Sequence, residues 1–555
     1  MARQSESGEI GMRTVIVGGV AGGMSAATRL RRLDENMEIV IVEKGPYVSF
    51  ANCGLPYFVS GEISNRDDLL VQTPEKLKAR FNLDVRVNSE VTTIDKDNKK
   101  VTIVSNDENY ELEYDNLVLS PGAKPFVPPV QGLEEAQNVF TLRNVPDVDK
   151  IMTALENKDV KKAVVVGAGF IGLEMAENLV LRGLDVTVVE MASHVLPTVD
   201  AEMASFISNE LEDNNVTVLT EKGMTELRNE GKTVVLNDGS TIDTDLVIMS
   251  VGVRPESGLA ETAKIDLGMR GGILVDENYE TSVKGIYAIG DAIIVKHIIT
   301  GDDTMIALAS PANRQGRQVA DVIAGMPRKN RGSLGTAIVR VFNQSIASTG
   351  LTERQLEALE YDYQVIHVDG KNHAGYYPGA SMIFLKLLFN PTTGEIYGAQ
   401  AVGQDGADKR IDIIATAIKG GLTVEDLPEL EFTYAPPFGA AKDIVNMVGY
   451  AALNLMEGVS EVVQLSDLPR LREEGAHLLD VRTETEYARG TIDGFVNIPL
   501  NDLRSRMDEL PKEKEIILSC HSGQRSYIAQ RMLVQHGFKV KNLDGSYLLY
   551  KSVNR

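Results

Sequence analysis

The chain contains two cysteines in 555 residues, and each lies in a segment that suits thiol chemistry. The first is in Ser-Phe-Ala-Asn-Cys53-Gly-Leu-Pro-Tyr, whose Ser, Asn, Gly and Pro residues are typical of an exposed functional loop. The second begins the segment Cys520-His-Ser-Gly-Gln-Arg525-Ser. Because the two cysteines are far apart in the sequence, they form neither a disulfide framework nor a metal-ligand pattern. The sequence therefore predicts two reactive thiols and no metal site, the alternatives being an apolar buried side chain at Cys53 and an inert C-terminal module around Cys520.

The two thiols are expected to react in different ways. With a single thiol, the oxidised form of Cys53 must be a sulfenic acid, or a mixed disulfide or persulfide with a small thiol. Cys520 follows a predicted buried strand, residues 515–519, and precedes a predicted helix, so that successive backbone N–H groups can point at its sulfur. These groups, the helix N-terminus and Arg525 would stabilise a thiolate and an anionic persulfide.

A glycine-rich loop in the middle of the chain predicts a dinucleotide site. Residues 162–189 show the order strand, Gly167-Ala-Gly169-Phe-Ile-Gly172, helix, strand, and Glu190 ends the second strand. Such glycines allow a tight turn and close approach to a pyrophosphate at the helix N-terminus. Glu190 would accept from a ribose 2′-hydroxyl and repel a 2′-phosphate, so we expect NADH to be preferred, with NADPH as the alternative.

A second loop of this type comes earlier, in Gly18-Gly-Val20-Ala-Gly-Gly23, but Val20 stands at the usual second glycine. The following strand ends at Glu43, which supplies the expected ribose carboxylate, and the adjacent Lys44 is a further candidate cofactor residue. Much later, a predicted strand ends in Gly-Asp291, an acid that can bind the hydroxyls of a second dinucleotide. The sequence thus predicts two βαβ units and two dinucleotide sites, the alternative being a merely structural turn at either loop.

Composition and charge exclude several partners. The formal net charge is −23, which would repel nucleic acid and anionic lipid surfaces. The longest apolar stretches, such as residues 163–173, are too short to cross a bilayer, and no leader pattern is visible. We therefore expect a cytoplasmic protein without a nucleic-acid or membrane partner. Residues 1–11 are polar and precede a second methionine, so we exclude them from the fold prediction.

With these motifs, residues 13–457 resemble the flavoprotein pyridine nucleotide–disulfide oxidoreductases. The resemblance implies FAD in the first site, NAD(P)H in the second, and a flavin ribityl chain held by Asp291. The second cysteine of the usual family pair is absent, since position 58 is Phe. The Cys53 motif is similar to that of the coenzyme A-disulfide reductases, the single-cysteine branch that also includes NADH oxidases and peroxidases. Peroxide-handling members carry a histidine where this chain has Ala21, which favours thiol chemistry over peroxide chemistry.

The helix after the first loop offers a candidate surface for the substrate. Ser25, Arg29 and Arg32 share one face of that helix, where two arginines could bind phosphate, although a solvated basic face is the alternative. Coenzyme A, a thiol with several phosphates, fits as substrate or bound thiol. The resemblance implies a coenzyme A site lined by the following residues: Ser25, Arg29, Arg32, Ser49, Asn52, Asn313 and Lys442. One family pattern has a histidine in place of Asn313.

Two tyrosines of the third domain are candidate catalytic groups. Tyr376 and Tyr434 lie in Gly-Tyr376-Tyr-Pro-Gly and Phe-Thr-Tyr434-Ala-Pro-Pro. The resemblance implies that this domain forms a homodimer and lends both phenols to Cys53 of the other subunit, where they could hydrogen-bond a thiolate or protonate a leaving thiol. Plain packing of the two side chains is the alternative reading.

The C-terminal segment, residues 459–555, resembles a single-domain rhodanese. The resemblance rests on the Cys520 loop and, upstream, on Leu-Asp480-Val-Arg482 and residues 484–487, while the usual Gly-His-Ile is Gly490-Thr-Ile here. The Cys-to-Arg spacing is one residue shorter than in cysteine phosphatases that share this fold, which favours sulfane sulfur over phosphate.

The predicted fold class is α/β, with two nested Rossmann-like domains for FAD and NAD(P)H, an α+β dimerisation domain and a C-terminal α/β rhodanese domain. The predicted boundaries are 12–120 with 270–334 for FAD, 150–269 for NAD(P)H, 335–457 for dimerisation and 459–555 for the rhodanese.

Three functions are compatible with these residues. The first is reduction of coenzyme A disulfide, coenzyme A persulfide or polysulfide at Cys53, coupled to sulfane-sulfur transfer at Cys520. The second is an NADH oxidase or peroxidase with a passenger rhodanese. The third is a carrier that delivers persulfide from Cys520 to a protein partner, with the flavin half acting as a redox sensor.

Overall fold

The computed structural model describes residues 11–106 and 108–555, so most of the excluded segment 1–11 lies outside the described residues. The chain divides into two compact units. The first contains the described residues up to Met191 together with Val216–Gly335, and the second contains Ala192–Asn215 and Thr336–Arg555. No helix within the described residues is both long and apolar enough to span a bilayer.

The elements are given in chain order. The helices are α1 (Ala21–Leu33), α2 (Leu55–Ser60), α3 (Pro74–Phe81), α4 (Val145–Leu155), α5 (Phe170–Leu181), α6 (Ala201–Asp213), α7 (Gly258–Thr262), α8 (Ala309–Ile323), α9 (Glu353–Ala358), α10 (Ala407–Gly420), α11 (Ile444–Met456), α12 (Leu468–Glu473), α13 (Glu484–Ala488), α14 (Leu500–Arg506), α15 (Gln524–Gln535) and α16 (Ser546–Val553). The strands are β1 (Arg13–Val17), β2 (Glu38–Val42), β3 (Asp84–Arg86), β4 (Ser89–Asp95), β5 (Lys100–Ser105), β6 (Asn109–Glu113), β7 (Asn116–Leu119), β8 (Ala123–Pro125), β9 (Val139–Phe140), β10 (Lys162–Val166), β11 (Asp185–Val189), β12 (Thr217–Leu219), β13 (Met224–Arg228), β14 (Thr233–Leu236), β15 (Thr241–Asp243), β16 (Leu246–Met249), β17 (Val253–Pro255), β18 (Ile286–Ala288), β19 (Val295–Lys296), β20 (Asp303–Thr304), β21 (Ala337–Val341), β22 (Gln344–Gly350), β23 (Gln364–Lys371), β24 (Met382–Phe389), β25 (Ile396–Gly403), β26 (Val462–Val463), β27 (His477–Asp480), β28 (Val496–Asn497), β29 (Ile516–Ser519) and β30 (Val540–Leu543).

The first unit contains two parallel sheets, one nested in the other. The first has the strand order β18-β7-β1-β2-β3, so its outer strand β18 returns to it after the second sheet is complete. The second has the order β12-β11-β10-β16-β9. The central strands β1, β2 and β10 are mostly Val and Ile and largely buried, as expected for parallel strands covered on both faces.

The short alternating strands and turn signals of residues 85–119 predict a β-meander that closes the first domain, and the structure divides this segment. Only β4, β5 and β6 form an antiparallel meander, while β3 is an edge strand of the first parallel sheet and β7 lies inside that sheet, between β18 and β1. The Leu-Val-Leu residues of β7 are buried consecutively, as in a parallel strand covered on both faces. A prediction based on alternating burial therefore misses the place of β7 in the parallel sheet.

The second unit contains two further sheets. One is antiparallel, with the order β21-β22-β25-β24-β23, and helices α10 and α11 pack on it. The other is parallel, with the order β26-β30-β29-β27-β28, and it carries Cys520 directly after β29. Although the chain places α6 between β11 and β12, this helix groups with the second unit and contacts β21, β22, β25 and α16.

Candidate active sites

The first glycine loop is closely packed against its own sheet. At Gly18 the backbone has a φ of +96°, and a Cβ there would lie 2.1 Å from the carbonyl oxygen of Ser120. At Gly23, in the first turn of α1, a Cβ would lie 1.9 Å from the carbonyl oxygen of Gly18. Val20 is the residue immediately before α1. The helix N-terminus is thereby held at the edge of the sheet, where it can bind an anion.

Glu43 is positioned by this loop. Its carboxylate accepts hydrogen bonds from the backbone N–H groups of Gly19, at 2.9 Å, and Gly45, at 2.8 Å. The neighbouring Lys44 forms an ion pair with Glu256, which also binds Arg143 at 2.6 Å. Glu43 therefore stands where a ribose would meet the loop, whereas the Lys44 ammonium is directed to Glu256.

Asp291 provides a test of whether a polyol ligand fits the first sheet. It follows β18 in a short 3-10 turn, and the preceding Gly290 N–H donates to Gln315 Oε1 at 2.7 Å. Within residues 11–106 and 108–555 its carboxylate accepts no hydrogen bond, and desolvation raises its pKa despite the opposing charge of Arg143. A half-buried carboxylate without a protein donor suits the hydroxyls of a ligand. The first site thus fits FAD through Gly18, Gly23, Glu43 and Asp291.

The second loop has open space where a pyrophosphate would lie. A Cβ at Gly172 would lie 1.9 Å from the carbonyl oxygen of Gly167, so α5 packs closely on the loop. At Gly169, by contrast, a Cβ would have no protein atom within 4 Å, and a side chain would enter this space. Glu190 Oε2 accepts the Ala168 N–H at 2.7 Å. These residues fit a nicotinamide dinucleotide.

Cys53 lies next to the first loop. It is in a short 3-10 turn, Asn52–Gly54, just before α2, and its N–H donates to Asn52 Oδ1 at 3.0 Å. The segment is tied to the first site by Ser49, whose N–H donates to the carbonyl oxygen of Gly19 at 2.9 Å. The structure therefore brings Ser49, Asn52 and Cys53 to the loop that would hold FAD.

The surroundings of Cys53 are acidic. Although the residue is exposed as a whole, the protein removes part of the water around its sulfur. This desolvation, followed by the negative charges of Glu174 and Asp291, raises the pKa of the thiol above its ordinary value. Glu174 comes from α5 and accepts the Tyr57 hydroxyl at 3.2 Å. The chain's own groups thus favour the neutral thiol at Cys53.

The predicted coenzyme A face joins α1 to α8. Ser25 Oγ donates to Asn313 Oδ1 at 2.6 Å, and Arg29 Nε lies 2.7 Å from Asp321 Oδ1. Burial acts to raise the pKa of Asp321, but Arg29 and Arg328 outweigh it, and the pKa is lowered. Arg29 is therefore held in place through Nε. Of the other predicted residues, Arg32 is exposed on α1, and Lys442 is exposed in the second unit.

Tyr376 and Tyr434 form a pair in the second unit. Their hydroxyl oxygens lie 3.2 Å apart, and the residues are 77% and 49% exposed. The hydrogen bond between them raises the pKa of Tyr376. Side chains that only filled a core would be buried, so this exposed pair of phenols is available to a group outside the protomer.

Cys520 is almost completely buried, with 1% exposure, and its sulfur is surrounded by donors. The Gly523 N–H donates to Sγ at 3.1 Å and the Ser526 hydroxyl donates at 3.3 Å. Helix α15 begins at Gln524, directly after Gly523. Two donors and a helix N-terminus are thus directed at this sulfur.

Arg525 acts in this site together with Glu486. The guanidinium binds the Glu486 carboxylate through two hydrogen bonds, at 2.8 and 2.7 Å. This pair lowers the pKa of Glu486 and raises that of Arg525. Sequence reasoning placed Glu486 in the rhodanese-like segment 484–487 but missed its contact with Arg525, since the local pattern Thr483-x-x-Glu486 predicts only a helix cap, which the structure also shows.

The altered Gly490-Thr491-Ile492 segment is accommodated behind the Cys520 loop. Asp480 and Arg482 form a buried ion pair with a contact of 2.6 Å, and Arg482 also donates to the carbonyl oxygen of Gly490. The Thr491 hydroxyl donates to Asp480 at 3.4 Å. Thr491, which replaces the usual histidine, therefore makes a polar contact with Asp480.

Two glycine loops that fit dinucleotides, a lone thiol beside the first and a second thiol in a strand-to-helix loop define a flavin-dependent thiol oxidoreductase with an attached sulfurtransferase-like domain. The chain belongs to the pyridine nucleotide-disulphide oxidoreductase family, whose profile matches residues 12–316. The family's dimerisation domain matches residues 336–443, and a rhodanese-like domain matches residues 464–552. FAD and a pyridine nucleotide are the cofactors of this family.

Relatives of known activity agree with this assignment. The coenzyme A disulfide reductase of Staphylococcus haemolyticus is 37% identical over 449 residues, 80% of this chain and 100% of the relative. The solved structure of reduced CoADR-RHD from Bacillus anthracis is 51% identical with a TM-score of 0.96, covering 98% of both chains. A NAD-dependent persulfide reductase from A. fulgidus is 38% identical with a TM-score of 0.92, covering 97% of this chain and 100% of the other. These matches confirm the predicted fold class and both resemblances.

Proposed function

We propose that the protein is a FAD-dependent reductase that uses NAD(P)H to reduce coenzyme A disulfide, coenzyme A persulfide or polysulfide at Cys53, and that Cys520 transfers sulfane sulfur. The observation that carries the proposal is the lone thiol of Cys53, tied to the first dinucleotide loop through the Ser49 N–H. Since Phe58 stands where a second cysteine would be needed, the disulfide partner of Cys53 must come from the substrate.

The reaction at Cys53 is a thiol–disulfide exchange. The Cys53 thiolate attacks one sulfur of the substrate, forms a mixed disulfide and releases a first thiolate. FAD held by Gly18, Gly23, Glu43 and Asp291 would supply the electron pair, which comes from the nicotinamide nucleotide. With two electrons the mixed disulfide would open to the Cys53 thiolate and a second substrate thiolate. Two electrons and two protons thus convert one disulfide into two thiols, or one persulfide into a thiol and hydrogen sulfide.

Two groups of residues would serve the substrate. On the first unit, the face of Ser25, Arg29, Arg32 and Asn313 offers donors for phosphate groups, with Arg29 oriented by Asp321. On the second unit, the paired phenols of Tyr376 and Tyr434 can protonate a leaving thiolate in a homodimer. Lys442, exposed on the same unit, would add a phosphate contact.

Cys520 would load sulfane sulfur. Its thiolate attacks the outer sulfur of a persulfide or polysulfide and takes that sulfur, while the donor leaves as a thiol or shortened polysulfide. The Gly523 N–H and Ser526 hydroxyl, which donate to Sγ, would stabilise the attacking thiolate. Transfer to coenzyme A then produces the persulfide that Cys53 reduces, and the fusion keeps producer and consumer on one chain.

The choice of nucleotide and the assembly are part of the proposal. Glu190 disfavours a 2′-phosphate, and residues 191–194 contain no Arg or Lys, so NADH is the expected donor in a cytoplasmic homodimer. Steady-state kinetics with the two nucleotides test this choice, and a higher kcat/KM with NADPH would contradict it.

Single replacements separate the two thiols. Cys53→Ser should abolish NADH oxidation with coenzyme A disulfide and with persulfide, whereas Cys520→Ser should retain the first reaction and impair the use of sulfane donors. Equal loss of both reactions in Cys520→Ser would contradict the division of roles.

Oxygen or peroxide consumption that matches NADH loss without a disulfide would instead support an oxidase or peroxidase. Failure to turn over a small disulfide without added protein would support a persulfide carrier.

A further inference from the structure

The backbone of Cys520 is held by residues 544–548, which form the turn that follows β30 and the first turn of α16. The Cys520 N–H donates to Ser546 Oγ at 3.2 Å, the Tyr547 N–H donates to the Cys520 carbonyl at 3.2 Å, and the Leu548 N–H donates to the His521 carbonyl at 2.8 Å. Ser546 is completely buried with a φ of +49°, a conformation that persists only where its surroundings enforce it. Any shift of this turn therefore moves the peptide groups on both sides of the reactive sulfur.

This turn is anchored from outside the rhodanese-like domain. It begins at Asp544, whose carboxylate accepts the His367 backbone N–H at 3.0 Å, His367 Nδ1 at 2.7 Å and the Gln464 amide at 3.0 Å. His367 belongs to β23 of the dimerisation sheet. The side chains of His367 and Asp544 are each 2% exposed, so water does not replace these bonds.

The other side of the His367 ring faces a second group of charges. Its Nε2 lies 3.3 Å from Glu202 of α6, and Lys386 of β24 binds the same carboxylate. Lys386 also binds Asp200 at 2.8 Å and Glu353 at 2.6 Å. Burial and Lys386 act to lower the pKa of His367, but Asp544 and Glu202 outweigh them and raise it to about 9. A protonated imidazole can donate to both carboxylates at once.

We infer that His367, a residue of the dimerisation domain, is a positioning residue for Cys520, acting through Asp544 and the turn at Ser546. The inference deepens the proposed function, because it rests on Cys520 as the sulfur-accepting thiol. Sulfur transfer needs the thiolate aligned with the sulfur–sulfur bond. A small shift in the position of the attacking sulfur therefore lowers the rate of transfer strongly. The reductase part of the chain thereby completes the sulfur-transfer site.

Two replacements of His367 differ in one hydrogen bond. Asn places an amide N–H near the position of Nδ1 and can still donate to Asp544, whereas Leu removes the donor and retains bulk. For transfer of sulfur from thiosulfate to cyanide by the full-length holoenzyme, we expect His367→Leu to lower kcat about tenfold with little change in KM, and His367→Asn to stay within about threefold of the wild type. NADH-dependent reduction of coenzyme A disulfide should be unchanged in both variants.

A pH profile distinguishes positioning from general damage. Because the His367 pKa is raised, the imidazolium is present below about pH 9 and is lost as the pH rises through that value. The ratio of wild-type to His367→Asn sulfur transfer should therefore fall across this range. A purely structural role of His367 would make this ratio independent of pH. A ratio that does not change with pH would therefore contradict the inference.

Controls separate this inference from the proposed function. Asp213→Asn removes the exposed ion pair with Arg555 between α6 and the C-terminus, and it should leave sulfur transfer unchanged. If Cys520→Ser still transfers sulfur, the proposed role of Cys520 is wrong. If Cys520→Ser is inactive while His367→Leu transfers sulfur at the wild-type kcat, only the positioning role is wrong. Should His367→Leu not fold, Asp544→Asn weakens the same contact and must lower kcat for the inference to stand.

Discussion

The two thiols of this chain lie in contrasting local environments. Cys53 lies in an exposed turn, its pKa is raised, and the charges identified beside it are those of Glu174 and Asp291. Cys520 is buried, and its sulfur receives an N–H from Gly523 and an O–H from Ser526 at the start of a helix. The protein itself thus supplies hydrogen-bond donors to one sulfur, whereas the thiolate of the other must obtain its stabilisation from what it binds.

The different environments of the two sulfurs agree with the different functions proposed for them. A cysteine that accepts sulfane sulfur must be a thiolate when it attacks, and permanent donors to its sulfur favour that state. A sulfur that exchanges electrons with bound groups can rely on those groups, because it reacts only when they are present. The three following predictions probe this contrast.

The largest effect is expected at Gly523. Its φ of +116° places the N–H on the Cys520 sulfur, and an L-residue rarely adopts that conformation. Gly523→Ala should lower sulfur transfer from thiosulfate about 100-fold, since a donor to a charged group is lost and the loop is distorted. Reduction of coenzyme A disulfide should not change. A proportional loss of sulfur transfer and disulfide reduction would show that the reactivity of the two thiols does not depend on separate local environments.

A smaller effect is expected at Ser526. Its hydroxyl can be removed without backbone strain, so Ser526→Ala deletes one donor to the Cys520 sulfur and leaves the Gly523 N–H. We expect about a tenfold decrease in sulfur transfer, typical of one hydrogen bond to a charged group. Alkylation of Cys520 by iodoacetamide, followed by mass spectrometry, should slow as well at neutral pH. An unchanged rate would mean that the hydroxyl does not support the anion.

The smallest effect concerns Cys53. Glu174→Gln removes a negative charge but keeps an oxygen that can accept the Tyr57 hydroxyl. Because Glu174 raises the pKa of the thiol, its removal should lower that pKa, shift the alkylation profile of Cys53 to lower pH and increase the rate near pH 8 about threefold. The alkylation of Cys520 in the same sample is the control. A shift of the Cys53 profile to higher pH would contradict the electrostatic account.

The sequence reveals those parts of the fold and sites that are built from neighbouring residues. Gly167, Gly172 and Glu190 lie in one βαβ unit, so their spacing alone predicts the loop that the structure shows. The Cys520 loop is similar, since Gly523 and Ser526 follow the cysteine within two turns of chain. These local predictions describe what a segment does with its own backbone.

Contacts between distant segments are not visible in the same way. His367 and Asp544 meet only because β23 and the turn after β30 pack together, and neither residue carries a local motif. The place of α6 is a further case, since its position between β11 and β12 predicts a helix of the nucleotide domain, while Asp200 and Glu202 bind the buried Lys386 of β24. Pairing of charges in the folded protein decides these positions.

The return of β18 to the first sheet has a consequence for how the protein is made. Strand β7, whose edge pairs with β18, is complete once Leu119 has been added to the chain. Ile286 of β18 follows only after the whole nested domain has been synthesised. At about 5–20 residues per second on the ribosome, that edge waits roughly 10 to 30 s for its neighbour. During this interval the nascent chain carries an unpaired hydrophobic strand edge, a target for chaperones and for aggregation.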